Sequence, residues 1–134
     1  MSGEYVEKLK HRARVFLGEA RSVKDPDLAA FFAEQAMQLY IKAVYYELFG
    51  DLVRGHRLRE LLSILARSLD KHGFNDLSSR LREFVEEFRE ALILGEEGFS
   101  SYIGSCCFMV IASSLFPFIA SWVCIRLRGV QGHP

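Results

Sequence analysis

Few side chains in this sequence could do chemistry, and most of those that could are arginines and histidines. Arg67 and His72 are spaced as R-x4-H, and so are Arg128 and His133, while Arg126 to His133 fits a looser spacing. A histidine can act as a general acid or base, and an arginine can stabilise charge on a phosphate. Both need a positioned phosphate, which spacing does not supply. With twelve arginines and four histidines, such pairs also arise by chance. Arg54, Arg57 and Arg59 form the densest basic cluster and could meet a nucleotide phosphate or an acidic partner, or be solvated surface. His56, between them, could be a ligand-facing base or a helix cap. Lys42 could contact a phosphate or snorkel along its helix. Gln35 could hydrogen-bond across a core. Glu34 could pair with Gln38 or with an arginine of a partner. No P-loop, dinucleotide-binding, zinc or catalytic-triad motif is present, which argues against a stand-alone ATPase or hydrolase.

The elements that must position these residues are helices. Val6, Leu9, Ala13, Phe16, Leu17 and Ala20 recur at spacings of three and four, which predicts a helix over about Glu4 to Ala20. Asp25 and Pro26 fit the cap and first turn of a second helix, which runs to Phe49 and stops at Gly50. Its stripe includes Ala29, Phe32, Ala33, Ala36, Leu39, Tyr40, Ala43 and Val44, small enough in places for close helix approach. A third helix is predicted from about Arg57 to Leu69, ended by Gly73. A fourth starts at Asn75 or Asp76, either of which can cap, and carries its stripe to Leu92. Short loops predict antiparallel neighbours. Tyr40, Tyr45 and Tyr46 fall around helix two and cannot all face one core, so some are expected at a subunit or partner interface.

Length and charge bound the rest. The chain has 134 residues, enough for one domain with a real core. Its net charge is +0, which argues against a dedicated nucleic-acid surface. The charge is unevenly spread, because no acidic residue follows Glu97. The chain therefore divides into a charged bundle, 1–97, and an apolar segment, 98–134. Cys106, Cys107 and Cys124 all lie in the second part, with no disulfide framework and no metal spacing. Met1–Lys10 is charged and has no secretory pattern, so a cytoplasmic protein is expected.

The uncharged run Tyr102–Ile125 is as long as a membrane helix needs, about 20 residues. Three readings compete for it: a fifth helix packed on the bundle, a C-terminal membrane anchor, or an aberrant end from a shifted reading frame. A soluble fifth helix should carry a polar face, and only Ser105, Ser113, Ser114 and Ser121 are available for one. A membrane helix tolerates Ser, Gly and one Pro.

Residues 4–97 resemble the HEPN family (higher eukaryote and prokaryote nucleotide-binding domains). The resemblance rests on Ala33-Glu34-Gln35-Ala36, Leu39 and Lys42-Ala43, followed by Gly50, Gly55-His56-Arg57-Leu58 and Leu61-Leu62. It implies an up-and-down helical bundle that dimerises. It also implies a prokaryotic module paired with a minimal nucleotidyltransferase in a toxin–antitoxin-like system, with nucleotide as a possible ligand. Some HEPN members are RNases that use an R-x4–6-H motif across the dimer, which would give Arg67 and His72 that role. The RNase members carry the motif at the start of a late helix, whereas Arg67–His72 lies where helix three ends. The tail departs from the family, because Glu96-Glu97-Gly98-Phe99 leads into the uncharged run where members have a charged amphipathic helix.

The expected fold is all-α: an antiparallel up-and-down bundle of four helices plus the apolar fifth segment. The expected function is a dimeric HEPN-type interaction module partnered with a nucleotidyltransferase. An RNase toxin and a membrane-tethered structural bundle are the alternatives. Gln35, Lys42, His56, Arg54 and Arg57 are the expected nucleotide- or partner-binding residues. Tyr40, Tyr45 and Tyr46 are the expected dimer contacts. No metal or resident cofactor is expected.

Overall fold

The structure, a computed structural model, describes the backbone of residues 2–55, 57–96 and 102–131, with side chains over 3–55, 57–96 and 108–122. The described residues are helical, with no strand among them: α1 (Ser2–Ser22), α2 (Pro26–Phe49), α3 (Leu58–Lys71), α4 (Asn75–Glu87), α5 (Arg89–Glu96) and α6 (Tyr102–Gln131).

The borders of α2 follow from local chemistry. An Asp25 carboxylate oxygen accepts the Asp27 backbone N–H at 2.9 Å, and Pro26 occupies the first turn, where a missing N–H costs nothing. Gly50 adopts a left-handed φ of 71° and donates its N–H to the Tyr46 carbonyl at 2.8 Å. α1 packs antiparallel to α2. Tyr5 meets Tyr46 near one end, and Phe16 stacks on Phe32 toward the other. Ala13, Ala33, Ala36 and Ala43 are fully buried, so the backbones approach closely.

α3 departs from the expected antiparallel order. The Tyr45 hydroxyl lies 3.0 Å from the Ser68 hydroxyl, and Phe49 packs on His72, so α2 and α3 end side by side. The connector between them makes this possible. Residues 52–55 form neither helix nor turn. A stretch of about seven residues can reach roughly 23 Å when extended, enough to run back along a helix as long as α3, 14 residues or roughly 21 Å.

α4 starts where expected, at Asn75, but is capped differently. Asn75 and Asp76 are its first residues, and Phe74 takes the cap position with no side-chain capping bond. Phe74 is drawn there by packing on the core and by its N–H bond to the Leu69 carbonyl at 2.8 Å. A buried Ser78 hydroxyl donates to the Ala66 carbonyl at 3.0 Å and ties α4 to α3. The predicted stripe to Leu92 is interrupted at Phe88, whose φ of −102° and ψ of 15° end α4. α5 then restarts, so that Leu92 is fully buried and Gly95 lies under the ring of Phe108.

The uncharged run folds as α6 and packs on α2, α4 and α5. Phe108, Ile111, Ala112, Leu115, Ile119 and Trp122 recur at helical spacing and are all buried. Phe116 stacks on Tyr40 at 4.4 Å, and Phe118 stacks on Phe84 at 5.1 Å. The solvent face is built of Val110, Ser113, Pro117, Ala120 and Ser121, small or hydroxylic side chains without charge. Pro117 lies on that face, where the carbonyl it leaves unpaired one turn back can be hydrated. Among the described residues, no helix is long and apolar enough to cross a membrane.

Candidate functional site

α2 is the central helix, and its residues divide by direction. Its buried side meets α6, and its flanks meet α1 and α3. The remaining stripe faces outward and carries Leu28, Phe31, Gln35 and Lys42 at spacings of three, four and seven. Leu28 and Phe31 are 47% and 53% exposed, although α2 is otherwise closely packed. Gln35 and Lys42 are half-buried on the same stripe. On the α1 side the stripe borders a groove of about 540 Å³ lined by His11, Arg12, Val15, Phe16, Gln35 and Leu39.

On the α3 side lies a polar junction. The Gln38 amide donates to a Glu34 carboxylate oxygen at 2.9 Å. Glu96, in the last turn of α5, accepts twice from Arg59: from its backbone N–H at 3.1 Å and from its guanidinium Nε at 2.7 Å. The α3 cap residue, Arg57, makes no side-chain capping bond of its own. Glu96 therefore caps α3 from 37 residues away, with its negative charge at the positive end of the helix. Burial pushes the Glu34 carboxyl above its ordinary value, the charge of Glu96 pushes it the same way, and the Gln38 amide works against both. Arg54 and Arg57, on the connector that leads into α3, are exposed. Arg59 and the α3 N-terminus are already committed to Glu96, so among the described residues of the connector Arg54 and Arg57 are the exposed cations able to meet an outside anion.

A third cluster sits where α2 and α3 end. The His72 Nδ1 lies 2.8 Å from the Ser68 carbonyl, which can only accept. In the neutral ring Nδ1 therefore carries the proton, and Nε2 is the basic nitrogen. The ring lies 4.6 Å from that of Phe49. Arg67 is exposed and stands about 100° around α3 from Ser68, the residue that faces α2. The helix therefore does not bring Arg67 and His72 together on one face within a single chain.

Of the residues singled out by sequence, Gln35 and Lys42 share the outward stripe, and Arg54 and Arg57 share the connector. His56 lies outside the described residues, as do the side chains of Arg128, His133 and the three cysteines. The three tyrosines diverge. Tyr40 is buried against Phe116 of α6, Tyr45 bonds Ser68 of α3, and Tyr46 packs on Tyr5 of α1. They do not form one exposed patch, because a central helix offers each aromatic a different intramolecular neighbour. Among the described residues the exposed large apolar side chains are Tyr5, Val15, Leu28, Phe31, Leu52 and Val110, of which Leu28 and Phe31 share one stripe of α2. Sequence reasoning met Glu96 only at the start of the departing tail and missed its role at α3, because no local pattern marks a cap so far from its helix. Among the described residues, no group of three or more His, Cys, Asp or Glu could hold a metal ion.

The family model for HEPN domains matches residues 6–102. No curated protein and no solved structure matches the chain.

Proposed function

We propose, from the premise that the chain belongs to the HEPN domain family, that it is a nucleotide- or RNA-related helical module that works by association. In this reading it is a dimer that pairs with a minimal nucleotidyltransferase, as in a toxin–antitoxin-like system. The outward stripe of α2 carries the argument. Leu28 and Phe31 stand half out of an otherwise packed helix, beside Gln35, Lys42 and Arg12, and an apolar patch with a polar rim is what a docking partner needs. Arg54 and Arg57 would meet the phosphates of a nucleotide held at that contact.

The test is co-purification with a minimal nucleotidyltransferase encoded beside this chain. Wild type is expected to be retained and Phe31→Asp to be lost. Arg54→Glu with Arg57→Glu is expected to weaken binding of a fluorescent adenine nucleotide to the pair without separating the proteins. Retention of Phe31→Asp at the wild-type level would remove this reading.

One observation favours a second reading, an RNase. His72 has a fixed tautomer with Nε2 available as a base. His72→Ala should then abolish cleavage of single-stranded RNA by the purified protein while leaving its helicity unchanged. Equal cleavage by the variant would exclude His72.

A further inference from the structure

The outer side of α1 has a charge pattern that is complementary to itself. Arg12, Val15 and Glu19 are all exposed, and their spacing of three and four puts them on one face of the helix. Val15 is 50% exposed, on the side of α1 opposite its buried stripe of Val6, Ala13, Leu17 and Ala20. Gly18 lies on the same outer side, with nothing within 4 Å of where a side chain would start. A second helix could therefore come close there.

We infer that this face of α1 receives the α1 of a second copy, packed antiparallel about a two-fold axis between Val15 and Phe16. The inference rests on the dimer reading above and names its surface. With the axis at that point, Arg12 of one copy falls directly opposite Glu19 of the other, and the two-fold makes the contact twice. Val15 packs beside Val15 of the second copy at the centre, and Lys8 falls opposite Ser22 and Val23 rather than another cation. A parallel pairing would place Arg12 against Arg12 and Glu19 against Glu19, so the charges select the antiparallel arrangement. An isologous contact of this kind closes on itself and stops at two copies. Arg12 and Val15 also line the groove that borders the outward stripe of α2, so a second copy seated here adjoins that stripe.

The experiment is sedimentation of the full chain across a concentration series. Arg12→Glu alone and Glu19→Arg alone each place like charges opposite one another twice. Each is expected to weaken self-association by about tenfold or more, with helicity unchanged. An equimolar mixture of the two variants restores both opposite-charge contacts and is expected to dimerise as wild type does. The doubly exchanged chain, Arg12→Glu with Glu19→Arg, should also recover. A wild-type dimer whose single variants associate normally would overturn the surface and leave the dimer reading standing. A wild-type chain that stays monomeric throughout would overturn both. Weakened variants that the mixture fails to restore would overturn the antiparallel register.

Discussion

One carboxylate at the start of α3 does two things. Glu96 caps a helix whose own cap residue offers no side-chain acceptor, and it holds the guanidinium of the same arginine whose N–H it accepts. Its removal leaves an uncapped helix start and an unpaired Arg59. Glu96→Ala is expected to lower unfolding free energy by about 1 kcal/mol, the usual cost of a lost cap, as read from urea denaturation. Arg59→Ala keeps the backbone cap and should cost less, because Arg59 is largely exposed and exposed ion pairs contribute little. Glu34 responds to pH in the opposite way to an ordinary surface carboxylate. Its proton is held more tightly in the folded chain, so its contribution to stability is fullest below the unfolded carboxylate range. That contribution is lost as pH rises through the raised folded value. Glu34→Gln is therefore expected to match wild type in acid and to exceed it at neutral pH. A stability-against-pH series in which the variant is the weaker at neutral pH would contradict this. The sequence suggested the Glu34–Gln38 pairing, because four residues is one helical turn. It could not suggest Glu96, because only the folded chain brings α5 to the start of α3.

Elements proved legible where their ends are local and obscure where their course depends on distant contacts. Asp25, Pro26 and Gly50 mark α2 because capping and left-handed backbone are properties of one or two residues. The course of α3 is different. A short connector usually implies an antiparallel hairpin, yet residues 52–55 form neither helix nor turn and α3 ends beside the end of α2, a choice made by what α3 packs on. α6 was ambiguous for another reason. Its solvent face is made of small and hydroxylic residues rather than charges, so the period that marks a surface helix is faint. The α5–α6 contact shows how tight the packing is. A side chain at Gly95 would overlap the ring of Phe108. Gly95→Ala is expected to destabilise the chain by about 1–3 kcal/mol through overpacking, despite the better helix propensity of alanine. In a double-mutant cycle, combining it with Phe108→Leu should cost clearly less than the two single changes together. Additive costs would mean that the overlap is relieved elsewhere.

For the whole molecule the question is whether the charged part can stand without the apolar part. The family match ends at residue 102, near the boundary where charge disappears from the sequence. The core does not end there. Phe108, Ile111, Leu115, Ile119 and Trp122 of α6 are fully buried, and Tyr40, Phe84 and Leu92 of the bundle lie in the same cluster. Burying the five large α6 side chains contributes on the order of 10 kcal/mol as an upper estimate. That is comparable with the whole stability of an ordinary domain, about 5–15 kcal/mol. A chain cut after residue 97 would also expose the faces of α2, α4 and α5 that α6 covers. It is therefore expected to lose its cooperative urea transition, to bind a hydrophobic dye and to aggregate, while the full chain unfolds in one step. The alternative outcome is equally readable: a truncation that unfolds cooperatively would mean that residues 6–97 carry a complete core, with α6 added to it. The expected loss of cooperativity would instead make the stacking of Tyr40 on Phe116 part of the fold. The search for function would then stay on the surfaces that α6 leaves uncovered, the outward stripe of α2 and the outer side of α1.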